Sequence, residues 1–155
     1  MITVIVPTRD SAAVLGPCLS ALVRAAVSGL VREVFVADAG SGDATLEIAD
    51  DAGARIVGSV AEAVAAAKGD WIMVLAPETR LEPGWEAEVA LHVDRQAGRA
   101  ACFRLAYEDA GVAARLREML AKLGGRRAEQ GLLVETTRFG TPGKVRTLNT
   151  KAFIG

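Results

Sequence analysis

Three stretches of this chain constrain its fold more than anything else in it: "ITVIVP" (2–7), "EVFVAD" (33–38) and "WIMVLA" (71–76). A strand with one face in water alternates apolar and polar residues. Near-continuous apolar runs rich in Val and Ile belong instead to strands buried on both faces, as in a parallel sheet covered by helices. Helical stretches separate them. Leu19, Leu22 and Ala26 give one apolar face to a helix that Gly16-Pro17 opens and Gly29 ends. Asp43 is placed to cap a second helix running to Ala52, with Gly53 as its stop. "SVAE" (59–62) is a capping box at the head of an alanine-rich helix ending at Gly69. "ARIV" (54–57) adds a short strand, and Pro83 opens a helix to about Ala97. "AACFRLAY" (100–107) alternates like a strand, 112–123 is an amphipathic helix, and "GLLVE" (131–135) is a last strand. The alternation predicts an α/β fold, three-layered around a mostly parallel sheet. Residues 1–135 read as one domain. From Thr136 the pattern dissolves, so 136–155 reads as a tail, wrapped on that domain or partly disordered.

Composition narrows the function classes. At 155 residues, 51% hydrophobic and 24% charged, the chain suits a globular domain with a real core. A formal net charge of -1 and no long basic run argue against nucleic acid, which needs a concentrated basic face. The nearest approach is Arg115, Arg117, Lys122, Arg126 and Arg127. Cys18 and Cys102 have no CxxC partner and read as apolar fillers, and one histidine, His92, leaves no zinc set. With a strand beginning at residue 2 and no apolar run of about 20 residues, a cytoplasmic protein without a signal peptide is expected.

In an open parallel sheet, ligands bind at the carboxyl ends of the strands. Here those ends read "PTRD" (7–10), "DAGSGD" (38–43) and "APETR" (76–80). The first lacks the GxGxxG of a dinucleotide fold, "GSGDAT" keeps two of its three glycines, and no GxxxxGK[ST] is present. An NAD-type fold is therefore weakly supported, and P-loop chemistry is excluded.

Order and spacing of these segments resemble glycosyltransferase family 2, from Met1 to about Val134. "VIVPTRDSAAVLGPCLSAL" is similar to that family's VIIPTLNE strand and helix, and "VFVADAGSGDAT" to its VVDGGSTDGT. "AAAKGDWIMVLAPETRLEPGW" is similar to its alanine-rich helix, fourth strand and metal-site loop ending TRLPPGW. "EQGLLV" (129–134) resembles the GDQGLFV of a small subgroup labelled selenodomain-associated transferases. The resemblance implies a GT-A fold, the Rossmann-like nucleotide-diphospho-sugar transferase architecture. It also implies sugar transfer from a nucleotide diphosphate donor, UDP-type first, to an acceptor hydroxyl with inversion.

On that resemblance Pro7, Thr8, Asp38, Gly40 and Arg80 become nucleotide-binding candidates. Asp38 reads either as a turn-forming acid or as the acceptor for a uracil N3–H. Pro7 and Thr8 bring backbone near ring and ribose, Gly40 lets the chain turn beneath them, and Ser41 and Asp43 read as helix caps. Arg80 faces phosphate or pairs with Glu82 or Glu78. The family's divalent ion, Mg or Mn, is held by a DxD motif, yet the aligned triplet is Ala76-Pro77-Glu78. Glu78 is then a metal candidate or a surface acid. An Arg-rich segment expected before the alanine helix is missing. The family's catalytic aspartate has no counterpart after Val134, where Glu135 is the last acid; Glu129 is the candidate in its place. The alternative is thus a catalytically degenerate domain that binds nucleotide or serves interaction. Trp71 reads as core, Trp85 as a pin for its helix or a sugar platform, and His92 as a surface residue. Helix 112–123 reads as core packing or as a peripheral membrane contact.

Overall fold

A computed structural model describes residues 1–96, 98–107, 131–140 and 145–154. In chain order they form β1 (Ile2–Thr8), α1 (Ala12–Val27), β2 (Val31–Asp38), α2 (Thr45–Asp51), β3 (Arg55–Val57), α3 (Val60–Ala66) and β4 (Trp71–Val74). Then follow β5 (Thr79–Leu81), α4 (Trp85–Arg95), β6 (Ala101–Tyr107), β7 (Leu132–Glu135), a 3₁₀ turn (Thr136–Arg138) and β8 (Arg146–Ile154). The expected helix 112–123, the basic residues around it and Glu129 lie outside the described residues. Among the described residues no helix is long and apolar enough to cross a membrane.

The eight strands form one sheet in the order β3-β2-β1-β4-β7-β6-β8-β5. The three apolar runs are neighbours as expected: β1 pairs in parallel with β2 on one side and β4 on the other. β3 extends the parallel half, β7 turns antiparallel between β4 and β6, β8 runs parallel to β6, and β5 closes antiparallel to β8. Both faces are covered. Val4, Val6, Val36 and Met73 pack under Leu15, Leu19 and Leu22 of α1, Ala49 of α2, and Trp85 and Val89 of α4. Ile5, Phe35, Ile72 and Val74 pack on the other face with Ala63 of α3. Fully apolar strands are the consequence, because neither face meets water.

Several local expectations change. The expected tail contributes a full strand: β8 buries Leu148, Thr150 and Ala152 in alternation and links β6 to β5. His92 is buried at 3% exposure, its Nε2 2.8 Å from the Arg99 carbonyl and its ring edge-on to Trp71, because α4 lies with that side against the sheet. Trp85 is buried and meets Phe103 in a T-shaped contact, so it pins α4. Helix α1 begins at Ala12 rather than at Gly16-Pro17, which lie inside it. The capping box holds, with Glu62 N–H donating to Ser59 Oγ at 3.2 Å and Glu62 Oε2 accepting from Gly58 N–H at 2.9 Å. Gly131 of the "GLLVE" strand has φ +66°, and a Cβ there would lie 2.5 Å from Phe103 and 2.9 Å from Leu75. Only glycine lets the chain enter β7 so close to those side chains.

Candidate functional site

The carboxyl edge is built around β1. Thr8, its last residue, stands opposite Asp38, the last residue of β2, and donates its hydroxyl to Asp38 Oδ1 at 3.0 Å. Beyond Asp38 the chain turns sharply through Gly40, whose φ of +89° is left-handed and suits glycine. That turn folds the backbone onto the carboxylate: the Gly40 and Ser41 N–H groups donate to Asp38 Oδ2 at 2.9 and 2.8 Å, and the Ser41 hydroxyl donates to Oδ1. Asp38 is 9% exposed. Burial pushes its carboxyl up, but the Ser41 hydroxyl and N–H, the Thr8 hydroxyl and the Gly40 N–H together hold it below the usual carboxylate range. Asp38 is ionised at neutral pH and fixed in place.

The polar run "DAGSGDAT" also does something local pattern does not reveal. It joins two loops. Asp10, in the left-handed region with φ 47°, takes its N–H to Ser41 Oγ at 2.9 Å and accepts from Gly42 N–H at 2.8 Å. Ser11 N–H donates to Thr45 Oγ1 at 2.8 Å, and Ala12 N–H to Asp43 Oδ2 at 3.0 Å. Asp43 therefore caps α1, about thirty residues back along the chain, besides accepting from Thr45 N–H and hydroxyl beside α2. Those bonds hold its carboxyl below the ordinary value, the Thr45 hydroxyl foremost. The result is a stitched floor in which the loops after β1 and β2 move as one.

Across β1 from that floor lies the loop leaving β4. Four residues, 75–78, join β4 to β5, although β7, β6 and β8 lie between those strands in the ladder. The sheet curls, and this loop crosses the carboxyl edge. Leu75 N–H donates to the Ile5 carbonyl at 3.0 Å, and Thr79 N–H to the Ala76 carbonyl at 3.0 Å. Ala76, Pro77 and Glu78 are half-buried and Arg80 is exposed. Arg80 makes no ion pair among the described residues, neither with Glu82 nor with Glu78. Beneath the loop, Cys18 Sγ lies 3.7 Å from the Ala76 carbonyl, and burial, then the Glu78 charge, push its thiol up to about 12. Glu135, the last acid in the chain, accepts from Gly98 N–H at 2.7 Å and pairs with Arg138 at 3.3 Å.

The sequence model of glycosyl transferase family 2 matches residues 3–153, nearly the whole chain. The chain belongs to glycosyl transferase family 2. A TPR repeat-containing protein of Synechococcus elongatus is 39% identical to this family member over 82 residues, covering 47% of this chain and 19% of the relative. Among solved structures, mannosyl-3-phosphoglycerate synthase from Rubrobacter xylanophilus is similar with a TM-score of 0.63 at 19% identity, over 90% of this chain and 54% of that one. Glucosyl-3-phosphoglycerate synthase from Mycobacterium tuberculosis, solved with Mn2+, UDP and glucosyl-3-phosphoglycerate, reaches 0.67 at 18% identity, over 99% of this chain and 70% of that one. The same enzyme with Mn2+ and UDP-glucose gives 0.64 at 21%, over 88% and 56%. This family 2 chain thus shares the GT-A fold of those enzymes and spans about half the length of several of them.

The donor set of this chain does not fit the divalent ion those structures hold. A magnesium- or manganese-type site takes one or two carboxylates together with phosphate and water. At the β4–β5 loop the only carboxylate is Glu78, and the acceptor positions of Asp38 across the edge are taken by four donors of the chain itself. Among the described residues no group of three His, Cys, Asp or Glu side chains could hold a metal. Of the sequence candidates, Pro7, Thr8, Asp38 and Gly40 belong to one continuous floor, and Glu78 and Arg80 to the loop across β1. Sequence reading passed over Arg9, Asp10 and Thr45. Their signal was present only as polar residues in "PTRD" and "GDAT", whose pairing across the two loops is not a local property.

Proposed function

We propose that this chain binds a nucleoside diphosphate sugar, a uridine nucleotide first, at the carboxyl edge of β1, β2 and β4, and transfers its sugar to an acceptor hydroxyl with inversion. The observation that carries the reading is the state of Asp38. Its Oδ2 is anchored by two backbone N–H groups that cannot turn away, whereas its Oδ1 is served by two hydroxyls, of Thr8 and Ser41, that can. A base offering an N–H can therefore replace a hydroxyl at Oδ1 without unseating the carboxylate. Pro7 and Gly40 supply close backbone, and Arg80, exposed and unpaired among the described residues, is available to phosphate. The UDP and UDP-glucose held by the solved M. tuberculosis enzyme support the donor class. The hydroxyl's proton needs a base, for which Glu129 is the candidate, and the protein is placed in the cytoplasm.

A second reading, a GT-A domain that binds nucleotide without transferring sugar, is favoured by Glu135, whose carboxylate is engaged by Gly98 and Arg138. Thermal unfolding with UDP, UDP-glucose, GDP-mannose and NAD tests both. A ligand at 100 times its dissociation constant adds about 2.7 kcal/mol of stability. Stabilisation by UDP and UDP-glucose with release of UDP in the presence of acceptors supports the transferase; stabilisation without release supports the binding module. Stabilisation by NAD alone overturns both.

A further inference from the structure

We propose that Arg9 holds the donor's diphosphate in this chain by direct guanidinium contact, so that nucleotide binding needs no divalent ion. The inference rests on the nucleotide-site reading above and goes beyond it. A diphosphate brings concentrated negative charge to the edge, and something positive must meet it, because like charges at contact distance repel and do so more strongly out of water. The metal donor set does not fit. Arg9 leaves the chain directly after Thr8, beside the Thr8–Asp38 pair. Its backbone is clamped: Arg9 N–H donates to Ser11 Oγ at 3.3 Å, and the Ser11 hydroxyl donates back to the Arg9 carbonyl at 3.0 Å. On its other side, Asp10 is bound to Ser41 and Gly42.

The Arg9 side chain is exposed and makes no ion pair or hydrogen bond among the described residues. That is notable because an acid is its immediate neighbour. Asp10 directs Oδ1 to Gly42 N–H at 2.8 Å instead. The commonest alternative for an exposed arginine is a loose surface ion pair, and the fold withholds the nearest partner for one. What remains is an uncompensated guanidinium on a rigid mount at the edge where the diphosphate is placed. A guanidinium presents a planar fork of donors that matches phosphate oxygens two at a time, which an ammonium does not.

Calorimetry with UDP and with uridine, each in EDTA and in manganese, decides this on the unmodified chain and on Arg9→Ala and Arg9→Lys. The proposal predicts that UDP binds in EDTA and changes affinity less than threefold with manganese. It predicts that Arg9→Ala weakens UDP about tenfold or more, the usual loss for a charge-assisted bond, while uridine affinity stays unchanged. Arg9→Lys recovers part of the loss. Equal weakening of UDP and uridine in Arg9→Ala would assign Arg9 a merely structural role and overturn the proposal. UDP binding that appears only with manganese overturns it while leaving the nucleotide site standing. Failure of both UDP and uridine to bind under either condition removes the uridine-nucleotide reading itself, and the proposal with it.

Discussion

Replacing Asp38 separates its two roles. In Asp38→Ala, the Gly40 and Ser41 N–H groups lose the acceptor they share at 2.9 and 2.8 Å, and the Thr8 and Ser41 hydroxyls lose theirs. Hydroxyls can reorient; the amides are fixed by the left-handed turn at Gly40. An unsatisfied buried donor costs about 1–3 kcal/mol. Because Gly40 is exposed and Ser41 half-buried, water reaches both, so about 2 kcal/mol for the pair is expected. Asp38→Asn can keep its carbonyl oxygen on the two amides and donate its NH2 to the two hydroxyls, so it should lose only about 1 kcal/mol. Yet it turns the Oδ1 position from acceptor to donor, facing a base N–H donor to donor. Urea unfolding should therefore rank Asp38→Asn well above Asp38→Ala in stability, while uridine and UDP binding is lost in both. The pH dependence has a definite sign. Asp38 is depressed in the folded state, so its stabilisation is complete above the unfolded carboxylate value, about 3.9, and fades as pH falls through the lower folded value. The stability gap between native chain and Asp38→Asn should close in that window. Equal destabilisation by Asn and Ala, or full UDP affinity in Asp38→Asn, would refute the reasoning.

Three further outcomes are expected. Gly131→Ala, with φ +66° and a Cβ 2.5 Å from Phe103, should destabilise by about 1–3 kcal/mol in chemical unfolding, and an unchanged midpoint would contradict the packing described. Cys18, buried with its thiol pushed up to about 12, should resist alkylation at pH 8 until denaturant is added, and prompt native labelling of Cys18 would show that the helix over the β4–β5 loop opens. Ala76→Asp combined with Glu78→Asp supplies two carboxylates on the loop and should make UDP binding manganese-dependent, partially so if Pro77 holds the loop out of shape; calorimetry showing no metal response at all would mean the loop is not at the diphosphate.

The strands that carry the site were legible because burial on both faces leaves a local signature. Ile2–Val6, Val34–Ala37 and Trp71–Val74 have no polar side to hide it, apart from Thr3. β8 was not legible, since its buried positions are Leu148, Thr150 and Ala152, two of them small or polar. The start of α1 was misplaced because its cap, Asp43, arrives from the next loop rather than from the preceding residues. His92 looked like a surface residue until α4 was laid against Trp71. In the site, Asp38 and Gly40 could be picked out as an acid and a glycine closing a buried strand. The loop-to-loop bonds through Asp10, Ser41 and Thr45, and Arg9's lack of a partner, depend on contacts about thirty residues apart in sequence.

The central claim is where the nucleotide binds, and amide chemical-shift mapping on isotope-labelled protein titrated with UDP measures that directly. The account predicts that the shifts concentrate on Thr8 to Asp10, Asp38 to Gly42 and Ala76 to Arg80. Shifts concentrated instead on the cavity of about 190 Å³ between α4 and β8, lined by Glu88, His92, Arg95 and Arg146, would contradict it.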